Sequence, residues 1–152
     1  MIRNLATTIE YDQEKANELN RKKGIQQAYS IKELTLDDFS EICDVYASYS
    51  GIKEFLYIPD NKEILSTLTS ENSSYVGIIS EENEILGLAK IEKLNGGGAF
   101  FAVPSFEKNS NMRFYGFSGL IVKSEYRKHG LGKILTATTG RVLHRMGRQD
   151  FM

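Results

Sequence analysis

The chain has 152 residues, of which 41% are hydrophobic and 26% charged; that is one domain's worth, and a chain of this size buries roughly 68–70% of its unfolded surface without a disulfide or metal staple. Lys and Arg number 19 against 20 Asp and Glu, a net charge of −1, which excludes the basic excess of an electrostatic nucleic-acid binder. A single cysteine, Cys43, excludes an internal disulfide framework, and two histidines, His129 and His144, offer no ligand cluster, so no metal is expected.

No apolar run approaches the roughly 18 residues that span a bilayer. Glu10, Asp12, Glu14 and Glu18 stand where a signal peptide carries its apolar stretch. The expectation is a soluble protein of a reducing, cytoplasmic compartment with no membrane partner. Residues 1–26 are set apart. Ile2, Leu5 and Ile9 fall at helical spacing, Tyr11–Lys23 is mostly polar, and Arg21-Lys22-Lys23-Gly24 supplies a stop. They read as a partly helical N-terminal extension, and residues 27–152 as the main domain.

Alternation over Gln27–Leu34 predicts a strand. Thr35 and Asp38 then form a capping box, with Leu34 and Phe39 in the positions of a hydrophobic staple. Phe39, Ile42, Cys43 and Tyr46 repeat at i, i+3, i+4 and i+7, so one helix face is apolar and Cys43 belongs to the core stripe. Gly51 closes this helix. A second box, Asp60 to Glu63, opens another ahead of Ile64, Leu65 and Leu68, and Ser70–Ser74 reads as a polar linker.

Tyr75–Ser80 and Ile85–Ile91 flank the polar turn Glu81-Glu82-Asn83-Glu84, which predicts a hairpin. Asn95–Gly98 breaks the second strand, Phe100–Val103 fits a short extra strand, and Pro104–Met112 reads as a polar loop. Phe114–Val122 looks like a buried strand running into the basic turn Lys123–Lys133. A helical pattern follows with Ile134, Leu135, Thr138, Val142 and Leu143.

Strand, glycine-bearing basic turn, helix is an arrangement with chemistry in it. A helix N-terminus leaves backbone N–H groups unpaired under partial positive charge, and glycines admit a ligand to them. Arg127, Lys128 and Lys133 add full charges, so the turn predicts an anion site for phosphate or pyrophosphate. A Walker A loop is excluded, because Arg127 stands where its first glycine belongs and Ile134 replaces the hydroxyl residue. A dinucleotide fingerprint is excluded by Leu135 in its last position.

What remains is Arg-x-x-Gly-x-Gly: Arg127-Lys128-His129-Gly130-Leu131-Gly132, five residues after Val122. This resembles the acyl-CoA motif of the GNAT family of N-acetyltransferases, and the order strand, two helices, hairpin, strand, turn, helix over residues 28–148 is similar to the first two-thirds of that family's fold. The resemblance implies an α/β (α+β) domain around a mixed central sheet, with the family's last strands and helix lacking. It implies acetyl-CoA as co-substrate, with Leu120, Ile121 and Val122 along the pantetheine and Arg127, Lys128, His129, Gly130, Leu131, Gly132 and Lys133 cradling the pyrophosphate. Gly87 matches a glycine often found in the family's hairpin.

The implied activity is transfer of an acetyl group to a primary amine, carried by a small molecule or peptide, by direct attack. Many members place a glutamate in the CoA-binding strand, and positions 114–122 hold no carboxylate, so the general base is unassigned. The alternative is a non-catalytic CoA-binding or assembly module. A further alternative is an unrelated α/β domain that uses the turn for another phosphate. Without a following strand, 114–122 would be a sheet edge, an adhesive element that another copy of the chain, a complementing fragment or the N-terminal extension would cover.

Other residues have plainer readings. His129 is a turn residue. His144 with Arg141, Arg145 and Arg148 forms a solvated face that complements the helix dipole, a contact to the CoA 3′-phosphate being the sharper alternative. Glu81, Glu82 and Glu84 read as a solvated turn. Phe100, Phe101 and Phe106 suit an acceptor pocket and loop packing equally.

Overall fold

The computed structural model describes residues 2–25, 28–48, 58–95, 113–127 and 129–150. The expectations for Gly51, for Phe100–Val103, for Pro104–Met112 and for Lys128 lie outside them. Helix α1 spans Leu5–Lys22, strand β1 Ser30–Leu34, helices α2 and α3 Phe39–Ala47 and Asn61–Thr69, strands β2, β3 and β4 Ser73–Ile79, Ile85–Asn95 and Arg113–Val122, and helix α4 Leu131–Asp150.

Local signals place most boundaries. The Thr35 N–H donates to Asp38 Oδ2 at 2.8 Å, completing the capping box at a single 3₁₀ turn that leads into α2. Asp60 accepts the Glu63 N–H at 2.8 Å and opens α3. The serine run is a correction, since Ser73 and Ser74 are buried residues of β2 rather than part of a linker. Hydrogen bonds make that burial tolerable: the Ser74 hydroxyl donates to Glu33 Oε1 at 3.0 Å and accepts the Ile2 N–H at 2.9 Å.

The sheet order is β1-β2-β3-β4, and every pairing among these strands is antiparallel. A mixed sheet needs a parallel partner reached by a crossover, and no strand follows α4 among the described residues. β2 is central and buried at all seven positions, which explains its unbroken apolar run Tyr75–Ile79. Helices α1 and α4 cover one face through Leu5, Ile9, Leu131, Leu135, Val142 and Met146. On the other face α2 and α3 lie over Tyr75, Ile79 and Leu88 through Ile42, Val45, Tyr46, Ile64 and Leu68.

The N-terminal segment is built into this arrangement. Ile2, Leu5 and Ile9 are buried in the same cluster as Leu135 and Met146. Gln13 Oε1 accepts the Ile31 N–H at 2.9 Å, so α1 occupies a backbone donor on the edge strand β1. Asp12, its side chain 5% exposed, receives Arg141 Nε at 3.2 Å and Arg145 Nη2 at 3.3 Å, while Arg145 also lies 4.4 Å over the Tyr11 ring. Arg141 and Arg145 are therefore paired with α1 while their side chains stay 52% and 36% exposed.

Candidate acyl-CoA turn and strand edge

Strand β4 and the turn after it bring the predicted residues together. Leu88 pairs with Ile121 and Lys90 with Ser118, so Gly119 and Leu120 together oppose Ala89 as a β-bulge. Gly119 has φ 63°, the left-handed conformation such a bulge requires and a side chain resists. A Cβ there would lie 3.9 Å from the Tyr46 hydroxyl, which stands on the α2 side. Burial, and then the neighbouring Tyr75 (ring centroids 6.2 Å apart), raise the Tyr46 phenol far above its ordinary range, so it stays protonated. A glycine inside a strand pattern is a bulge signal, and Gly119 carried it.

Beyond the bulge the strand alternates. Ile121 is buried on the α2/α3 face, whereas Leu120 and Val122 pack against the cluster beneath α1 and α4. The three share a backbone edge rather than a side-chain face. Lys123 N–H donates to Leu86 O at 2.8 Å, and Ile121 O lies on the same side, 2.7 Å from where a Gly87 Cβ would stand. Because each peptide is planar and trans, Val122 directs both its N–H and its C=O away from β3, to the outer edge. Gly87 matters for a steric reason: any side chain would press on Ile121 O and on Val122 Cα at 3.2 Å.

After Val122 one 3₁₀ turn, Ser124–Tyr126, delivers Arg127 in extended conformation. Gly130 follows at φ 77°, and the buried Leu131 anchors the first turn of α4 in the core. Gly130 O accepts the Ile134 N–H at 3.2 Å, the first helical bond. The amides of Leu131, Gly132 and Lys133 thus lie in the first turn, where no intrahelical acceptor exists. Among the described residues a Cβ on Gly130 would meet nothing within 4 Å, and one on Gly132 only Val122 Cγ2 at 4.0 Å. Arg127, His129 and Lys133 are exposed around this open mouth.

Glu84 is the residue that sequence reasoning passed over as one of three solvated glutamates. Its carboxylate holds Lys123 Nζ at 3.2 Å and the Tyr126 hydroxyl at 3.1 Å, joining the hairpin turn to the basic turn. That hydrogen bond is the main cause that raises the Tyr126 phenol above its ordinary value. His144 is exposed, and among the described residues no three metal-ligating side chains cluster. No helix among them is long and apolar enough to cross a membrane.

No protein-family model and no curated sequence matches the chain. Solved structures do. A GNAT family acetyltransferase of Staphylococcus aureus is similar at 21% identity with a TM-score of 0.59, over 80% of this chain and 82% of that one. An aminoglycoside acetyltransferase from an uncultured soil metagenomic sample, in complex with sisomicin, is similar at 18% identity and TM-score 0.55, over 79% and 72%. AAC(6′)-Iy in complex with the bisubstrate analogue CoA-S-monomethyl-acetylneamine is similar at 13% identity and TM-score 0.56, over 80% and 75%. The fold of this chain, over about 80% of its length, is that of the GNAT acetyltransferases.

Proposed function

We propose that the protein is an N-acetyltransferase that moves an acetyl group from acetyl-CoA to a primary amine on a small molecule or peptide. One observation carries the reading: an open, glycine-lined helix N-terminus, ringed by Arg127, His129 and Lys133, directly follows a strand whose Val122 N–H and C=O face an outer edge. A pyrophosphate fits the first and a pantetheine arm, which carries amide groups, fits the second. Acetyl-CoA supplies the acetyl group as a thioester. The amine nitrogen forms the new C–N bond as the C–S bond breaks, and the proton the amine loses ends on the thiol sulfur. The protein's contribution is positioning and polarisation: Arg127 to Lys133 hold the phosphates, Leu120 to Val122 align the arm, and an outward strand amide such as that of Val122 polarises the carbonyl.

In this reading residues 27–152 are the acyl-CoA domain, residues 1–26 are an extension whose helix α1 packs on it, and the protein acts in the cytoplasm. The outer edge of β4 is where a second copy or a complementing segment would add a strand. Sedimentation as a monodisperse monomer with a fully protected β4 would remove that part. A second reading, a CoA-holding module without turnover, is favoured by the lack of any carboxylate in residues 113–122. Thermal melting with acetyl-CoA, and with ATP and NAD as controls, tests the common ground. Acetyl-CoA at 100 times its dissociation constant stabilises the fold by about 2.7 kcal/mol. No shift with acetyl-CoA refutes both readings, and binding without consumption of acetyl-CoA across an amine panel selects the second.

A further inference from the structure

We infer that Glu84 is the positioning residue of the anion turn, an assignment that rests on reading that turn as the acetyl-CoA phosphate site. Its carboxylate contacts both ends of the 3₁₀ turn, Lys123, which follows β4 and precedes the turn, and Tyr126, the turn's last residue. Among the described residues the turn's backbone bonds are Tyr126 N–H to Lys123 O at 2.9 Å and a longer Arg127 N–H to Ser124 O at 3.4 Å. Tyr126 packs edge-on against His129, with ring centroids 6.4 Å apart, and is partly buried against the cluster under α4. Glu84 therefore grips the segment that sets where Arg127 and His129 stand. Its grip comes from a rigid place, since Glu84 precedes Ile85, the first residue of β3, the strand that pairs with β4.

The hairpin turn does not need this carboxylate. Ser80 N–H donates to Glu84 O at 2.9 Å, Asn83 N–H to Ser80 O at 3.0 Å, and Glu84 N–H to Ser80 Oγ at 3.1 Å. All three use the Glu84 backbone or Ser80. The carboxylate is thus free of a duty in its own turn and committed to the neighbouring one.

Electrostatics and positioning predict opposite signs, which makes the inference testable. Glu84 is a negative charge near a site for an anion, and it neutralises Lys123. If charge alone mattered, Glu84→Ala would tighten acetyl-CoA binding. Positioning predicts that Glu84→Ala weakens it about tenfold, the scale of a lost hydrogen bond to a charged group. Glu84→Gln keeps an acceptor for Tyr126 but not the ion pair, and recovers part of the loss. Tyr126→Phe weakens binding, and Glu84→Ala/Tyr126→Phe weakens it no further than Glu84→Ala alone. Glu81→Ala removes the same charge from the same turn, where Glu81 is exposed, and leaves binding unchanged or slightly tighter.

The second readout is amide hydrogen exchange at Tyr126 and Arg127, whose N–H groups donate to Lys123 O and Ser124 O, in the free protein, with melting temperature as the folding control. Glu84→Ala speeds exchange there severalfold and Glu81→Ala does not. Unchanged or tighter acetyl-CoA binding by Glu84→Ala overturns the inference, as does unchanged exchange. If the wild-type protein binds no acetyl-CoA, the functional reading falls, and the exchange comparison alone decides whether Glu84 orders the turn.

Discussion

Gly132→Asp separates stability from ligand binding at the mouth of α4. Among the described residues a Cβ at this position meets only Val122 Cγ2 at 4.0 Å, and the glycine has no positive φ to protect. A carboxylate in the first helical turn interacts favourably with the helix dipole by about 0.3–1 kcal/mol. Replacing a helical glycine restricts the unfolded chain by about 0.4–1 kcal/mol. Together these raise stability by about 1 kcal/mol, or about 2–4 °C in melting temperature for a chain of this size. The same carboxylate stands where a phosphate would approach the Leu131–Lys133 amides. At about 6 Å and an effective dielectric of about 20, it and one phosphate charge repel by about 3 kcal/mol, roughly a hundredfold in affinity. Differential scanning fluorimetry reads the first effect and isothermal titration with acetyl-CoA the second. A raised melting temperature with wild-type affinity refutes the phosphate cradle. A melting temperature lowered by several degrees refutes the reading of open space around Gly132.

Asp12→Ala tests whether α1 is integral to the fold. Breaking a buried ion pair costs about 3–5 kcal/mol, but the Arg141 and Arg145 side chains are 52% and 36% exposed and rehydrate. The expected loss is therefore about 2 kcal/mol, a drop of about 4–8 °C by calorimetry; less than 2 °C would mean that the pair behaves like a surface one. Gly87→Ala forces a methyl to 2.7 Å from Ile121 O and should cost about 1–3 kcal/mol, read as a lower urea midpoint at unchanged m-value, together with weakened acetyl-CoA binding because Val122 shifts. A full-strength fold would show that β3 and β4 part without strain. Glu33 sits half-buried, and desolvation raises its carboxyl above the usual value, opposed by the Ser74 hydroxyl and the Ala6 N–H. A raised folded-state pKa contributes stability in full below the unfolded value, and that contribution is lost as pH rises through the folded one. Glu33→Gln should accordingly be more stable than wild type at pH 7, with the advantage vanishing below pH 4. A variant less stable at pH 7 would mean that the charge of Glu33 at the start of α1 outweighs its desolvation.

Much of this protein was legible in one dimension because its signals are local. The boxes at Thr35–Asp38 and Asp60–Glu63 start helices through bonds spanning three residues, and the hairpin around Glu81–Glu84 follows from two apolar runs flanking a polar turn. The order of Val122, Arg127, Gly130 and Leu131 marks the strand, the turn and the buried helix start where they are found. The reading of Phe114–Val122 as one buried strand missed the bulge at Gly119, whose register needs the partner strand, since two residues oppose Ala89 only once β3 is beside β4.

What composition and periodicity could not supply were pairings between charges distant in the chain. Asp12 reads as one more polar residue of an extension until Arg141 and Arg145, about 130 residues later, are brought against it. Glu84 is indistinguishable from Glu81 and Glu82 until β4 ends beside it and presents Lys123 and Tyr126. Serines 73 and 74 look like linker until Glu33 and the Ile2 amide satisfy one of them inside the sheet. The physical reason is common to all three. Apolar patterning records which face of an element is buried, a property each segment carries alone, whereas the partner of a buried polar group is chosen by the packing of elements that the chain itself keeps far apart.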